Sequence, residues 1–136
     1  MEKRIVTYEE YGRLMNKMVE KLHEQNKRFD GIYGDPRGAW PIMVHVLHHL
    51  KVPCLTTEEF VTSNKMRFLV IDDICDMGRT FSNIYGHMLQ GKKSATAFFS
   101  VLFYKPRSKF KPDLYIEEVT EWIVFPWERL DEIPNR

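Results

Sequence analysis

The sequence predicts an α/β fold in which a mostly parallel central sheet carries helices on both faces. Short apolar runs alternate with longer stretches whose apolar residues recur at helical spacing, as strands and helices do in α/β proteins. Residues 67–71 form an apolar run rich in branched side chains, which is typical of a strand buried on both faces. Acids and a glycine-containing loop follow this run, as expected where a parallel strand ends at a ligand site.

The first half of the chain contains two predicted helices. Thr7, with Glu10 three residues later, has the spacing of a capping box at the start of the first helix. The apolar face of this helix is formed by Tyr11, Leu14, Met15, Met18 and Leu22. A short strand over residues 29–34 leads into the loop 35–38. The apolar face of the second helix is formed by Ile42, Met43, Val46, Leu47 and Leu50. We expect it to end before Pro53, because the residue before a proline disfavours the helical conformation.

The second half of the chain is predicted to contain most of the strands. Residues 52–60 are interpreted as a short strand and a turn, and residues 67–71 are the clearest strand in the sequence. A third helix is expected to start near Thr80 and to end at Gly91, the residue type that most often follows a helix. The remaining predicted strands cover residues 95–104, 114–116 and 122–125.

The composition favours one globular domain, residues 1–136. Hydrophobic residues make up 43% and charged residues 29%, and 136 residues are enough to bury one core. The formal net charge is +1 with scattered Lys and Arg, so nucleic acid is not an expected partner. No apolar run reaches the roughly 20 residues that a bilayer helix needs. The N-terminus lacks the apolar core of a signal peptide, and two cysteines are too few for a disulfide framework. We therefore expect a cytoplasmic protein with reduced thiols.

The segment after the clearest strand carries the predicted chemistry. Asp72 and Asp73 place two carboxylates at a strand end, where α/β sheets bind ligands. The loop 76–80 opens the next helix, so its free backbone N–H groups form an anion site that a glycine lets a phosphate approach closely. Thr80 adds a hydroxyl donor. Two acids beside a phosphate site suit a phosphorylated sugar diol with a divalent cation, because carboxylates accept hydrogen bonds from hydroxyls and ligate Mg²⁺.

Residues 70–80, Val-Ile-Asp-Asp-Ile-Cys-Asp-Met-Gly-Arg-Thr, resemble the phosphoribosyl pyrophosphate (PRPP) signature of type I phosphoribosyltransferases. The resemblance implies that Asp72 and Asp73 face the ribose hydroxyls and Mg²⁺, with Asp73 as the metal contact. It also implies a catalytic role for Asp76 beside the imidazole nitrogens of a purine. The 5′-phosphate would then be held by Asp76, Met77, Gly78, Arg79 and Thr80.

Two further segments extend the resemblance over almost the whole chain. The loop with Arg37 and Gly38 is similar to the family's pyrophosphate loop, in which an arginine fork and backbone amides would hold the departing diphosphate. Lys105-Pro106 and residues 122–128 resemble the base-binding elements of xanthine-guanine phosphoribosyltransferases. The residues implied are Lys105 for the 6-oxo group, Trp122 for stacking on the ring, and Ile123 and Glu128 for the 2-position.

Three features depart from the family pattern. Met77 stands where a hydroxyl residue is usual, which removes one donor to the phosphate, and Ala39 replaces a usual glycine. The stretch 53–68 is much shorter than the hood that covers this active site in the family, so we expect it to exclude water less well.

The basic stretch 105–111 is interpreted either as a solvated connection or as a functional loop.

The resemblance therefore predicts an enzyme of nucleotide salvage. It would transfer the phosphoribosyl group of PRPP to a 6-oxopurine base (guanine, xanthine or hypoxanthine) and release pyrophosphate. Apolar and aromatic residues such as Trp40 and Trp127 favour a homodimer or a higher homo-oligomer. One alternative keeps the fold but is a non-catalytic regulator that senses PRPP or a nucleotide, which Met77 and the shortened hood favour. A second is a phosphoacceptor receiver domain, although its acid pair would stand on the first strand.

Overall fold

The computed structural model describes residues 2–92 and 94–128 of the 136-residue chain, so residues 1, 93 and 129–136 of the predicted domain lie outside the described part. The elements, in chain order, are β1 (Lys3–Ile5), α1 (Tyr8–Glu24), β2 (Gly31–Tyr33), α2 (Trp40–Leu47), α3 (Thr57–Thr62), β3 (Arg67–Cys75), α4 (Arg79–Gly91), β4 (Thr96–Tyr104), β5 (Leu114–Glu118) and β6 (Trp122–Val124). A single 3₁₀ turn, Pro126–Glu128, follows. No helix in these ranges is both long and apolar enough to cross a bilayer.

The strands form two parallel sheets. The main sheet has the order β2-β3-β4-β5, and every neighbouring pair in it is parallel. A second sheet has two strands, β1 and β6, also parallel. All four carboxyl ends of the main strands therefore point to one edge of the sheet, and the predicted ligand residues after β2, β3 and β4 meet there.

The central strand β3 is buried on both faces, as predicted from residues 67–71. Leu69 and Ile71 pack in a core with the apolar faces of α1 and α2. Phe68 and Val70 point the other way, because side chains alternate along a strand, and pack with α3 and α4 through Phe60, Phe81 and Met88. Helices thus cover both faces of a parallel sheet, and the predicted fold class is confirmed.

Residues 52–60 differ from the prediction of a strand and a turn. Only Cys54 pairs with the sheet, through an isolated bridge to Ile32, and residues 57–62 form α3. A capping box starts this helix: the Thr56 hydroxyl accepts from the Glu59 N–H, and the Glu59 carboxylate accepts from the Thr56 N–H. The same spacing, Thr-x-x-Glu, was available in the sequence as a helix signal.

The N-terminal residues also differ from the prediction, since no strand was expected before α1. Residues 3–5 form β1, whose pairing with β6 joins the two ends of the described chain. The capping box expected at Thr7 is only half formed. Thr7 accepts from the Glu10 N–H, but the Glu10 carboxylate binds the Arg4 guanidinium instead of the cap backbone. The Glu10 carboxylate, which the sequence assigned to the helix cap, is therefore bound by Arg4 of the N-terminal strand.

Candidate active site

The acid pair lies inside β3 rather than after it. The strand continues to Cys75, and Asp72 is paired with Val101 of β4. The Asp72 carboxylate accepts the Asp73 N–H at 2.8 Å, and the Asp73 carboxylate accepts the Ile74 N–H at 2.8 Å. Asp72 is 8% exposed. Because the sheet holds the backbone at these positions, the two carboxylates have a fixed place at its carboxyl edge.

Both carboxylates have pKa values raised above that of an ordinary aspartate. Burial raises the pKa of Asp72, and burial together with the adjacent Asp72 charge raises the pKa of Asp73. Within the described residues, neither acid forms an ion pair with Lys or Arg. A buried and a half-buried acid without a paired cation are a favourable place for a metal ion or for the hydroxyls of a sugar.

The loop after β2 lies directly against the acid pair. A Cβ atom on Gly38 would lie 2.6 Å from Asp72 Oδ1 and 2.7 Å from Asp73 Oδ1, so a larger residue there would displace the two carboxylates. The neighbouring Arg37 is exposed, its N–H donates to the Asp35 carboxylate, and its guanidinium has no partner in the described part of the chain. The structure thus brings Gly38 against Asp72 and Asp73, with the Arg37 guanidinium unengaged at the same edge.

The loop 76–80 forms the wall of a pocket of about 160 Å³. Gly78 precedes α4 with φ of +83°, a conformation that glycine adopts without strain. Over residues 77–80, as described here, no backbone N–H donates to another protein group. The pocket is lined by Asp72, Ile74, Cys75, Asp76, Met77, Gly78, Arg79, Thr80 and Phe81. A helix start with free N–H groups facing a small pocket suits a phosphate group.

The basic stretch 105–111 packs against this loop through its backbone, while the side chains of Arg107, Lys109 and Lys111 are exposed. The Lys105 N–H donates to the Cys75 carbonyl at 3.0 Å, and the Lys109 N–H donates to the Met77 carbonyl at 3.2 Å. A Cβ on Gly78 would lie 2.6 Å from Ser108 Oγ and 2.8 Å from the Phe110 nitrogen. The loop after β4 therefore supports the backbone that would hold the phosphate.

A second pocket, of about 180 Å³, lies on the other side of Asp76. It is lined by Asp73, Ile74, Asp76, Lys105, Trp122, Ile123, Phe125 and Glu128. All four residues that the sequence assigned to the base are in this set. Lys105 is buried, and its ammonium lies 3.6 Å from Asp76 Oδ1 and 5.5 Å from the centre of the Trp122 ring, which is 52% exposed. An aromatic face beside a buried ammonium suits a planar ring with an acceptor oxygen.

Glu128 has a local partner as well as a place in this pocket. Its carboxylate accepts the Phe125 N–H at 2.8 Å and so caps the 3₁₀ turn. Trp127 points the other way: its ring stacks on Phe125 and meets Tyr11 edge-on, beside the core. Of the two tryptophans in this segment, Trp122 lines the pocket and Trp127 packs against the core.

The pairing of β1 with β6 holds the pocket wall. Lys3 is paired with Trp122 and Arg4 with Ile123, and the Trp122 N–H donates to the Glu2 carbonyl at 2.8 Å. Sequence reasoning missed this support, since three N-terminal residues carry little strand signal. It also missed Arg107, whose guanidinium donates to the Asp76 carboxylate at 2.8 and 2.5 Å. The signal available was its place two residues after Lys105.

The stretch 53–68, expected to act as a shortened hood, packs against the main sheet. Phe60 of α3 stacks on Tyr33 and meets Phe68 edge-on, at 4.2 and 5.0 Å between ring centres. The Lys92 ammonium donates to the Ser63 carbonyl, which ties the end of α3 to the end of α4. No hydrogen bond or ring contact described for α3 reaches residues 76–80. The contacts of α3 thus lie along the first half of β3, not over the phosphate pocket.

The metal-ligating side chains of the described residues could hold Mg²⁺ only together with a bound phosphorylated ligand. The described residues contain no group of three or more acids, histidines or cysteines able to hold a metal by themselves. Two adjacent carboxylates, Asp72 and Asp73, are present. Mg²⁺ is commonly held by one or two carboxylates together with water and substrate phosphates, so this pair fits a cation that arrives with a phosphorylated ligand.

Comparison with solved structures finds the same fold in phosphoribosyltransferases. The purine phosphoribosyltransferase from Pyrococcus horikoshii Ot3 has a TM-score of 0.77 and 24% identity, with all of both chains covered. The xanthine-guanine-hypoxanthine phosphoribosyltransferase of Helicobacter pylori has a TM-score of 0.80 and 18% identity over 93% of each chain. A hypothetical protein from Neisseria gonorrhoeae with bound ppGpp has a TM-score of 0.76 and 18% identity, over 96% of this chain and 91% of that one. No family model and no curated protein matches the sequence. The chain has the type I phosphoribosyltransferase fold.

Proposed function

We propose that the protein is a purine phosphoribosyltransferase. It transfers the phosphoribosyl group of PRPP to a 6-oxopurine (guanine, xanthine or hypoxanthine) and releases pyrophosphate, as a cytoplasmic enzyme of nucleotide salvage that acts as a homodimer or higher oligomer. One observation carries this proposal: the phosphate pocket and the base pocket meet, sharing Ile74 and Asp76 in their walls. A ribose joined to a phosphate at one end and to a purine at the other would span these two pockets.

The proposed residue roles follow from this placement. The backbone amides of residues 76–80 bind the 5′-phosphate, Asp72 and Asp73 hold the ribose hydroxyls, and Arg37 and the amide of Gly38 bind the leaving diphosphate. A purine ring nitrogen attacks C1 of the sugar as the bond to the diphosphate breaks, with positive charge developing on the sugar. Asp76, between the two pockets, stabilises that charge or accepts the purine proton.

Mg²⁺ would be held by Asp73 beside Asp72 and would supply positive charge to the leaving diphosphate. In the base pocket, the Lys105 ammonium donates to the 6-oxo oxygen and the Trp122 ring stacks on the base. The backbone at Ile123 and the carboxylate of Glu128 contact the 2-position. These assignments are supported by the common pocket that contains all four residues.

The experiment that tests the proposal measures pyrophosphate release from PRPP and Mg²⁺ with guanine, xanthine, hypoxanthine or adenine in turn. Release that depends on a 6-oxopurine and yields the matching nucleotide is the expected result. Release that is equal with adenine would contradict the role of Lys105, and no release with any base would refute the enzyme.

A pair of lysine variants from one loop sharpens this test. Lys105→Met removes the buried ammonium of the base pocket and is expected to lower kcat/KM for 6-oxopurines by about tenfold or more. Lys109→Met changes an exposed side chain of the same loop and is expected to keep wild-type activity. Equal activity of the two variants would remove Lys105 from base recognition.

A second candidate function is a non-catalytic sensor that binds PRPP or a guanine nucleotide. The Neisseria gonorrhoeae structure with bound ppGpp favours it, because that protein shares the fold over almost the whole chain. The same geometry serves both functions, since ppGpp also carries a purine, a ribose and phosphates. Saturable binding of PRPP or ppGpp in calorimetry, without base-dependent pyrophosphate release, would support the sensor.

A further inference from the structure

Arg107 contacts the carboxylate to which the proposed reaction assigns catalysis. Its Nε and Nη2 atoms both donate to Asp76 Oδ1, at 2.8 and 2.5 Å. The Lys105 ammonium lies 3.6 Å from the same oxygen. Within residues 2–92 and 94–128, no hydrogen bond or ion pair involves Asp76 Oδ2. One carboxylate oxygen is therefore held by two cations, while the other is free for a ligand.

The chain builds this contact from a tight turn. The Ser108 N–H donates to the Lys105 carbonyl at 2.9 Å, which makes residues 105–108 a β-turn with Pro106 at its second position. Proline favours that position because its ring fixes the backbone angle φ there. The turn directs the side chains at its first and third positions, Lys105 and Arg107, to Asp76.

The turn is also attached to the loop that carries Asp76. The Lys105 N–H binds the Cys75 carbonyl, and the Lys109 N–H binds the Met77 carbonyl, so hydrogen bonds lie on either side of Asp76 in the sequence. The Ser108 hydroxyl lies 3.2 Å from the Cys75 sulfur. Arg107 is thus held at a fixed distance from Asp76 by the backbone of both loops.

We propose that Arg107 is a positioning residue for Asp76: it holds the carboxylate through Oδ1 and leaves Oδ2 facing the purine. This inference rests on the proposed function. Arg107 lines neither the phosphate pocket nor the base pocket, so its effect passes through Asp76 and not through a contact of its own with substrate. Its side chain is 46% exposed, and ion pairs of that exposure contribute little to folding stability. The consequence of its loss appears in turnover.

A double-mutant cycle tests this route. Arg107→Gln, Asp76→Asn and the double variant are compared with wild type in base-dependent pyrophosphate release. Arg107→Gln is expected to lower kcat by about tenfold or more while KM for PRPP changes by less than about twofold. In the Asp76→Asn background the same substitution is expected to change kcat by less than about twofold. If kcat of the double variant falls by the product of the two single-variant losses, the proposal is overturned. A kcat of Arg107→Gln equal to that of wild type would also overturn it.

Two more variants separate positioning from a structural effect. Arg107→Lys keeps the positive charge but loses the planar fork, and it is expected to recover part of kcat. Arg13→Gln removes a different exposed arginine, whose guanidinium lies 3.2 Å from the Glu9 carboxylate. Arg13 lines neither pocket, so this variant is expected to keep full activity. A fall in thermal stability of Arg107→Gln that matches its loss of kcat would assign Arg107 to folding and overturn the proposal.

The failure of the inference differs from the failure of the proposed function. If wild type releases no pyrophosphate with any base, the proposed function fails, and the same cycle is measured on GMP binding by calorimetry. Coupling between the Arg107 and Asp76 substitutions in the GMP dissociation constant would uphold the positioning role. Independent effects would overturn it.

Discussion

Replacing Gly78 by alanine is expected to destabilise the protein through two separate costs. With φ of +83°, a residue that has a Cβ loses about 1–2 kcal/mol in the left-handed conformation. The added Cβ would also lie 2.6 Å from Ser108 Oγ and 2.8 Å from the Phe110 nitrogen, and overpacking of this kind costs about 1–3 kcal/mol. The free energy of unfolding should therefore fall by about 2–5 kcal/mol.

A glycine in the same helix provides the matched control. Gly86 lies inside α4, and a Cβ there would meet no atom within 4 Å. Gly86→Ala is expected to raise the free energy of unfolding by about 0.5–1 kcal/mol, because alanine has the higher helix propensity. The two substitutions are chemically identical, so opposite signs would isolate the role of the loop geometry at Gly78.

Urea unfolding followed by circular dichroism measures the free energy of unfolding of both variants, and calorimetry measures their affinity for PRPP. Gly78→Ala should also weaken PRPP binding, since relief of the clash moves the amides of residues 77–80. If Gly78→Ala unfolds within about 0.5 kcal/mol of wild type, the loop 76–80 is not packed against residues 108–110, and the support inferred for the phosphate site is refuted.

Two other predictions follow from buried groups near the site. Asp73→Asn is expected to stabilise the metal-free protein by about 1 kcal/mol or more near neutral pH, because burial and Asp72 raise the pKa of Asp73. A carboxyl group whose pKa is raised in the folded state lowers the free energy of unfolding once the pH exceeds its ordinary pKa of 3.8. In urea unfolding, the stability advantage of Asp73→Asn should therefore vanish as the pH falls towards 3.8. Parallel plots of unfolding free energy against pH for the variant and wild type would contradict this prediction. Iodoacetamide is expected to label the exposed Cys54 before the buried Cys75, because burial and hydrogen bonding protect Cys75, and mass spectrometry of the native protein that finds Cys75 labelled first would contradict its packing.

The sequence was informative where the signal is local. Residues 67–80 form one strand, a loop and the start of a helix, so the apolar run, the acids and the glycine directly indicated a sheet edge followed by a glycine loop. The apolar faces of α1 and α2 were likewise visible as periodicity. Short segments were harder, because six residues of helix and six of strand look alike in an apolar pattern. The apolar pattern around Phe60 therefore predicts a strand and a turn, although Thr56 and Glu59 carry a capping signal for a helix.

Contacts between distant residues were decided only by the tertiary structure. The sequence by itself determined the α/β class and which residue types line the candidate site. It could not show that β1 pairs with Trp122 and Ile123 at the other end of the chain, or that Arg107 engages Asp76 rather than solvent. Periodicity and capping report interactions within a few residues, whereas these contacts depend on which strands become neighbours once the core has packed.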